Sequence, residues 1–227
     1  MPTLTELLEA GTHFGHKKEK SFPRAKQFTY TIRDSVYIIN LEKTLEQLEE
    51  AIKYLKKEIS SGKTVLFLGT KMQAKEAVKK IATNLNMPYM TERWPGGMLT
   101  NFETIYKSLK TLADLEAQVK SPEFSAFTKK ERKRIEEKIS KLNSVFDGIK
   151  DLKKVPDILF VVDTAKESVG VLEARKINIP IVGICDTNAN PDLIDIPIPA
   201  NDDSQNSIKL ILENIEEGVK ENKKESK

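Results

Sequence analysis

The sequence is poor in the residues that build disulfides, metal clusters and membrane spans. It has one cysteine, one tryptophan and two histidines in 227 residues, and aromatic residues make up 7%. A single cysteine cannot form an internal disulfide, and Cys185 lies in the apolar run IPIVGICD, so we predict a small buried side chain in a reducing compartment. No apolar run reaches the roughly 18–20 residues of a membrane span, and no leader of basic then apolar residues opens the chain. These absences predict a soluble cytosolic protein without a membrane partner.

Three common signatures of enzyme chemistry are also missing. GKT at 62–64 lacks the glycine that opens a phosphate-binding loop, because Lys57 stands in that place, and it precedes a predicted strand instead of following one. No G-x-G-x-x-G follows a strand, and no G-x-S-x-G occurs. We therefore expect no nucleotide cofactor of the usual kind.

Positive charge is concentrated, although the net charge is only +3. Residues 17–33 carry six basic side chains and one acidic one, whereas residues 186–203 carry five aspartates and no lysine or arginine. The basic segment also contains Phe22, Phe28 and Tyr30, and cations interleaved with aromatic rings suit phosphate neutralisation with base stacking. A solvated charged surface is the alternative for this segment taken alone.

Apolar strands alternate with amphipathic helices over most of the chain. FTYTI and SVYIIN are predicted as two short strands, and LEKTLEQLEEAIKYLKKEI as a long amphipathic helix. TVLFLG, DILFVV and IPIVGIC are continuous apolar strands separated by helices, a pattern typical of a parallel sheet covered on both faces. The loops that follow the strands should then share one edge of the sheet, where open α/β sheets usually bind ligands; they span residues 69–71, 93–101, 162–167 and 185–192.

Residues 101–150 interrupt this alternation. Two narrow apolar stripes on either side of SPEFSAFT predict an antiparallel coiled-coil helical hairpin inserted between strands. The predicted organisation is a discontinuous α/β domain over 1–100 and 151–219, the inserted hairpin over 101–150, and a disordered tail over 220–227. KKERKR at 129–134 places five cations near the expected tip, as a phosphate or partner contact or as a solvated helix face.

An enzymatic alternative depends on Asp163 and Asp186, which end two apolar strands and would meet at the edge of the sheet. Paired carboxylates at that position can hold Mg²⁺ for phosphoryl transfer, with Asp202 and Asp203 as further ligands. No base, arginine clamp or phosphate cradle accompanies them, and aspartate after a strand commonly caps the next loop or helix. The phosphoryl-transfer enzyme is therefore the second hypothesis.

Both histidines, His13 and His16, lie in the stretch GTHFGH. Zn²⁺ takes four ligands, and only aspartates from elsewhere in the chain would complete a site around this pair. The sequence predicts instead a glycine-hinged turn that ends the first helix and leads into the basic segment. We expect the histidines to fix this turn or to contact RNA, and we expect no bound metal.

The loop RWPGGMLTN contains the only tryptophan. Arg93 can grip a phosphate with two hydrogen bonds, and Trp94 offers either a stacking face or a core anchor. Gly96 and Gly97 allow the backbone to approach another surface closely.

Seven segments, in order, resemble the S-two family of small-subunit ribosomal proteins in its bacterial form. They are GTHFGHK, IINLEKT, LFLGTKMQA, RWPGGMLTN, VVDTAKE, CDTNANPD and IPANDD. The resemblance covers residues 4–215 and implies a three-layer α/β/α fold of flavodoxin-like (Rossmann-like) type with a protruding coiled coil. It also implies a cytoplasmic, non-enzymatic ribosomal constituent that binds small-subunit rRNA, lies beside other small-subunit proteins and helps recruit ribosomal protein S-one.

Charge and resemblance together predict two sets of contact residues. The phosphate-binding set is Lys17, Lys18, Lys20, Arg24, Lys26, Arg33, Lys71 and Arg93. The second set, for RNA or a partner, is His13, His16, Trp94, Gly96, Gly97, Lys129, Lys130, Arg132, Lys133 and Arg134. We expect no cofactor, no metal and no homo-oligomer; a free protein-binding module that uses the hairpin is a third hypothesis.

Overall fold

Two sheets, seven α-helices and five short 3-10 helices make up the regular structure of residues 1–220, the part of the chain that the computed structural model describes. The helices are α1 (Leu4–Glu9), α2 (Leu41–Ser60), α3 (Met72–Leu85), α4 (Phe102–Lys120), α5 (Lys129–Phe146), α6 (Ser168–Lys176) and α7 (Gln205–Lys220). The strands are β1 (Phe14–Lys17), β2 (Thr29–Arg33), β3 (Val36–Ile39), β4 (Val65–Leu68), β5 (Tyr89–Met90), β6 (Ile158–Val162), β7 (Ile181–Cys185) and β8 (Ile196–Pro199). Apart from Lys220, which ends α7, the tail predicted over 220–227 lies outside the described residues.

The larger sheet is parallel and has the order β5-β4-β6-β7-β8. Numbered along the chain, its five strands follow the order 2-1-3-4-5, which is that of flavodoxin-like doubly wound folds. In such a sheet the chain moves from the first strand toward one edge and later continues from the first strand's other side toward the opposite edge. The switch point lies between the first and third strands, here β4 and β6. The loops that directly follow β4 and β6 therefore lie beside the crevice in which this fold class binds ligands.

Side chains of the central strands alternate between two apolar layers. Val65 and Phe67 of β4 face the layer built by α2, α3 and α7. Leu66 and Leu68 face the opposite layer, which contains α6, Trp94 and the residues of α4 and α5 nearest the sheet. Burial of each such side chain stabilises the fold by about 1.5–3 kcal/mol. The predicted three-layer α/β/α architecture is confirmed.

Two strands differ from the sequence prediction. β8 forms the edge of the parallel sheet and carries Pro197 and Pro199. A proline has no amide N–H to donate. It is tolerated on an edge strand because the outer side of that strand has no neighbouring strand to bond. β1 pairs antiparallel with β3, so the turn predicted in GTHFGH covers only residues 11–13, and residues 14–16 belong to a strand. A left-handed turn is confined to Gly11, whose φ is +73°.

The insertion consists of α4 and α5 joined by a short 3-10 helix over Pro122–Ala126. Thr128 and Glu131 form a reciprocal capping box that begins α5. The helices are linked through Glu116, whose Oε1 accepts hydrogen bonds from Asn143 at 3.2 Å and from Lys150 at 3.0 Å. Buried side chains lie in the half nearest the sheet, where α4 ends its buried stripe at Leu112. The coiled-coil character of the pair stays a prediction.

Candidate nucleic-acid interface

The cations of residues 17–33 lie on the surface. All six basic side chains of this segment are exposed. Lys17 ends β1, and Lys18 and Lys20 lie in the 3-10 turn after it. Arg24 and Lys26 lie in the 3-10 helix Pro23–Phe28, and Arg33 ends β2. Arg24 contacts Asp192 at 2.8 Å and Arg33 contacts Asp34 at 3.9 Å. The four lysines form no ion pair with any residue in the range 1–220. Their charges face solvent without an internal counter-charge.

This basic segment is fixed to the loop that follows β7. The His16 amide donates to Thr187 Oγ1 at 2.8 Å, and the Phe22 amide donates to the Thr187 carbonyl at 2.7 Å. Gly15 makes the approach possible, since a Cβ there would lie 2.7 Å from Thr187 Cγ2. The cations are therefore displayed on backbone anchored to the carboxyl edge of the parallel sheet.

Lys71 does not belong to this exposed set. Its Nζ lies 3.0 Å from Asp163 Oδ2, 2.6 Å from Asp202 Oδ1 and 2.7 Å from Asp203 Oδ1, and its side chain is 13% exposed. Burial lowers the pKa of Lys71, but the three carboxylates outweigh it and the net shift is upward. The prediction that Lys71 contacts a phosphate is corrected. Its ammonium group is paired with three aspartates of the same chain, beside the crevice between β4 and β6.

The Lys71 cluster is tightly buried at Asp202. Its side chain is inaccessible to solvent, and burial together with the Asp163 and Asp186 carboxylates raises the pKa of Asp202 to about 7 although Lys71 donates to it. The other oxygen of Asp163, Oδ1, accepts a hydrogen bond from the Lys166 amide at 2.9 Å. The two aspartates of the enzymatic hypothesis do reach the same edge, but Asp163 is held by a lysine and a backbone amide.

His16 faces the other aspartate of that hypothesis. Its Nδ1 lies 3.1 Å from Asp186 Oδ2, and its Nε2 lies 3.6 Å from Asp203 Oδ2. The Asp186 carboxylate raises the pKa of His16 against the opposing effect of burial. His13 is outside this group, and burial lowers its pKa. The two histidines thus have different environments, and only His16 bridges β1 to the sheet edge.

A single carboxylate organises the loop RWPGGMLTN. Glu173 of α6 accepts from Trp94 Nε1 at 3.1 Å and from the backbone amides of Gly97, Leu99 and Thr100 at 2.8, 3.0 and 3.2 Å. Burial raises the pKa of Glu173, but these hydrogen bonds together hold it below its ordinary value. Glu173 was not predicted from the sequence; the sequence signal for it is the run of loop amides around Gly96 and Gly97, which need a hydrogen-bond acceptor.

The other residues of the loop RWPGGMLTN differ in burial and in what they contact. Trp94 is 9% exposed and packs in the core against Gly170, so it anchors the loop and presents no ring to a base. Gly97 has φ +86°, which favours glycine, and Gly96 lies at the surface. Arg93 is exposed and follows β5. β5 lies three strand spacings, or roughly 14 Å, from β7, whose following loop anchors the basic segment. Of this loop, Arg93 remains available to a phosphate.

The cations at the start of α5 are likewise exposed. Lys129, Lys130, Arg132, Lys133 and Arg134 all lie on the surface, and Lys133 pairs with Glu137 at 3.9 Å on the same helix. Glu131 between them caps the helix. This patch is separate from residues 17–33, since it belongs to the end of the hairpin farthest from the sheet.

Fold and charge placement define a class of protein. At the carboxyl edge of the doubly wound sheet Lys71 is paired with the protein's own aspartates, and exposed cations lie on a segment anchored to the same edge. This is a scaffold with an outward basic surface. No helix among residues 1–220 is both long and apolar enough to cross a bilayer.

Sequence comparisons give the family. The profile of the family described as Ribosomal protein S2 matches residues 7–222. The chain is 47% identical over 219 residues to the small ribosomal subunit protein uS2 of Coprothermobacter proteolyticus, covering 96% of this chain and 82% of that one. It is 45% identical to uS2 of Nocardia farcinica, covering 96% and 77%, and 43% identical to uS2 of Helicobacter hepaticus, covering 100% and 86%. The chain belongs to the ribosomal protein S2 family, in its bacterial form.

Family membership decides between the hypotheses on function. The protein is a structural constituent of the small ribosomal subunit and acts in translation, and it is not an enzyme. The phosphoryl-transfer hypothesis for Asp163 and Asp186 is therefore abandoned.

Proposed function

We propose that this chain binds small-subunit rRNA through the exposed basic segment, with Lys17, Lys18, Lys20 and Lys26 as its principal phosphate contacts. The observation that carries the proposal is that these four lysines are exposed and have no internal ion pair in the described structure. Arg24 and Arg33 contribute less, because each has a nearby aspartate that must give way to a phosphate. Arg93 forms a further contact near the other edge of the sheet.

Anchoring of the segment supports this assignment. A lysine on a disordered arm loses conformational freedom when it binds, whereas the backbone around Lys17 and Lys18 is already held by β3 and by Thr187. Tyr30 is 77% exposed on β2 and offers a ring for stacking on an unpaired base. The charges and this ring belong to one continuous exposed segment of the chain, residues 17–33.

Salt dependence gives the sharpest test. Each lysine that neutralises a phosphate releases counterions and adds about 0.7–0.9 to the slope of log K against log salt. We propose measuring binding of the purified chain to small subunits depleted of it, over a range of salt, for the native chain and for Lys17→Gln/Lys18→Gln/Lys20→Gln. The triple variant should bind more weakly and show a slope smaller by about 2–3.

The matched control removes the same charge elsewhere. Lys57, Lys176 and Lys209 are exposed and lie outside both the basic segment and the hairpin, and their triple change to Gln should leave the slope unchanged. Equal slopes and equal affinities for both triple variants would show that the basic segment is not the RNA-binding surface.

We further propose that the protein helps recruit ribosomal protein S-one, and that the hairpin over 101–150 is an inserted unit whose cations contact RNA or a neighbouring protein. The exposed, separate location of the α5 cations supports a contact of their own. Replacing residues 103–148 by a short linker tests both parts. Retained subunit binding with loss of S-one from the subunit supports a partner role for the hairpin. Loss of subunit binding by a variant that circular dichroism shows to be folded supports a direct contact of the hairpin with RNA or a protein of the subunit.

A further inference from the structure

We propose that the outer face of the small antiparallel sheet, β1-β3-β2, binds one unpaired nucleotide of RNA, whose base stacks on the ring of Phe14. The proposal rests on the rRNA-binding role proposed above, and it adds which ring holds a base and which cations hold its phosphate. The loop after β7 anchors this sheet through Thr187.

The central strand shows that the sheet has one covered and one open face. Tyr37 and Ile39 of β3 are 3% and 2% exposed, so they face the rest of the protein. Successive side chains of a strand point to opposite faces, which places Val36 and Ile38 on the outer side. Both are partly exposed, as this placement requires.

The flanking strands add an aromatic ring and two cations to the outer face. Residues directly opposite each other in an antiparallel pair project from the same face of the sheet. Phe14 and Thr31 lie opposite Ile38, and Lys17 and Arg33 lie opposite Val36. The outer face therefore has an apolar centre with a lysine and an arginine on either side of one end.

An irregularity in the register of β1 turns Phe14 outward. Gly15 and His16 both point toward the loop after β7, where His16 Nδ1 lies 3.1 Å from Asp186 Oδ2. Phe14 precedes them and points to the opposite side. His13 packs against its ring, with centroids 4.0 Å apart, and 51% of Phe14 is still exposed. The ring is thus supported by the protein and open to a ligand.

Charge and spacing favour a nucleotide as the occupant. The two cations lie two residues along β3 from the position of Phe14, a displacement of about 7 Å. One nucleotide spans that distance from base to phosphate, so a base on Phe14 brings its phosphate to Lys17 and Arg33. None of the six side chains placed on this face is acidic. Exposed aromatic rings on a sheet hold single-stranded RNA in this way, because a base inside a duplex has both faces covered by its neighbours.

Photocrosslinking from position 14 identifies the occupant directly. The full-length chain with Phe14 replaced by p-benzoylphenylalanine is bound to small subunits depleted of the native chain and irradiated. The adduct should shrink to the size of the chain on ribonuclease treatment, and primer extension should map it to an unpaired nucleotide. An adduct whose size survives ribonuclease, which marks a neighbouring protein, overturns the proposal, as does the absence of an adduct from subunits that carry the chain.

Substitution of the ring gives the second test. Phe14→Leu keeps an apolar side chain and the charge but removes the ring. It should weaken subunit binding about 5- to 150-fold, the contribution of one stacked base, while the salt slope stays that of the native chain. Phe14→Trp restores an aromatic face and should bind more tightly than Phe14→Leu. Leu172→Ala, at a residue of α6 that is 57% exposed, is the matched control and should bind like the native chain.

The two proposals fail in different ways. Circular dichroism first establishes that each variant is folded. Unchanged affinity of Phe14→Leu, with weakened binding of the triple lysine variant, overturns the Phe14 site and leaves the RNA-binding role of the basic segment intact. Unchanged affinity and slope of the triple lysine variant overturn both proposals, because Lys17 belongs to both.

Discussion

Glu173 offers a direct test of how the loop over 93–101 is held. We consider Glu173→Gln, which preserves the size of the side chain but replaces one acceptor oxygen by an NH₂ group. Oε1 accepts from Trp94 Nε1 and the Gly97 amide, and Oε2 accepts from the Leu99 amide and from the amide and hydroxyl of Thr100. Whichever way the new amide turns, its NH₂ group faces at least two donors.

The cost follows from counting these donors. With the more favourable orientation, two hydrogen bonds are lost and three change from a charged to a neutral acceptor. A hydrogen bond to a charged group contributes about 1.5–3 kcal/mol and a neutral one about 0.5–1.5 kcal/mol, and water partly replaces the lost partners because Glu173 is only half-buried. We expect Glu173→Gln to lower the free energy of unfolding by about 2–4 kcal/mol at neutral pH.

The pH dependence of the difference is a second observable. The pKa of Glu173 lies below its ordinary value of 4.5 in the folded chain. A carboxyl group with a depressed folded pKa contributes stability that is present above the unfolded pKa and is lost as the pH falls through the folded value. The difference between the native chain and Glu173→Gln should therefore be constant at neutral pH and shrink below about pH 4.5.

Chemical denaturation at several pH values measures both quantities, and hydrogen exchange at the amides of Gly97, Leu99 and Thr100 should accelerate in the variant. Glu136→Gln, at an exposed position of α5, is the control and should change stability by less than about 0.5 kcal/mol. If Glu173→Gln behaves like Glu136→Gln, or if its deficit persists unchanged in acid, the hydrogen bonds to this carboxylate do not organise the loop.

Two further predictions concern tight packing at the carboxyl edge of the sheet. Gly15→Ala places a Cβ 2.7 Å from Thr187 and should cost about 1–3 kcal/mol in chemical denaturation, whereas Gly96→Ala, with open space around it, should cost less than about 1 kcal/mol; equal effects would argue against the close contact. Burial raises the pKa of the Cys185 thiol to about 12, so a disulfide reagent should modify it only as fast as the chain opens; rapid modification in native buffer would contradict that burial.

The architecture could be predicted from the sequence because its central strands are continuously apolar. VLFL of β4 and ILFVV of β6 are buried on both faces, and the helix over 41–60 has a regular apolar stripe. β1 and β8 could not be predicted in the same way, because they form strands only through pairing with β3 and β7. Neither FGHK nor IPIP has the pattern of an independent strand, and the prolines of β8 indicate a loop until its edge position is known.

The polar contacts were harder to predict for a related reason. Lys71 looks like a loop cation in the sequence, but the three carboxylates around it come from the ends of β6 and β8, more than 90 residues away. Glu173 looks like a solvent-facing residue of a short helix, yet its partners lie 73 to 79 residues earlier. Charge density along the chain did predict which lysines of residues 17–33 are exposed, since a solvated side chain needs no internal partner.

The position of Lys71 has a consequence for how the fold is used. In doubly wound proteins the crevice between the first and third strands is usually completed by a bound molecule, and the order of its loops depends on how much of that molecule is present. Here the ammonium group of Lys71 draws together the loops after β4, β6 and β8. The charge that joins these three loops is part of the chain itself, so this contact needs no bound small molecule.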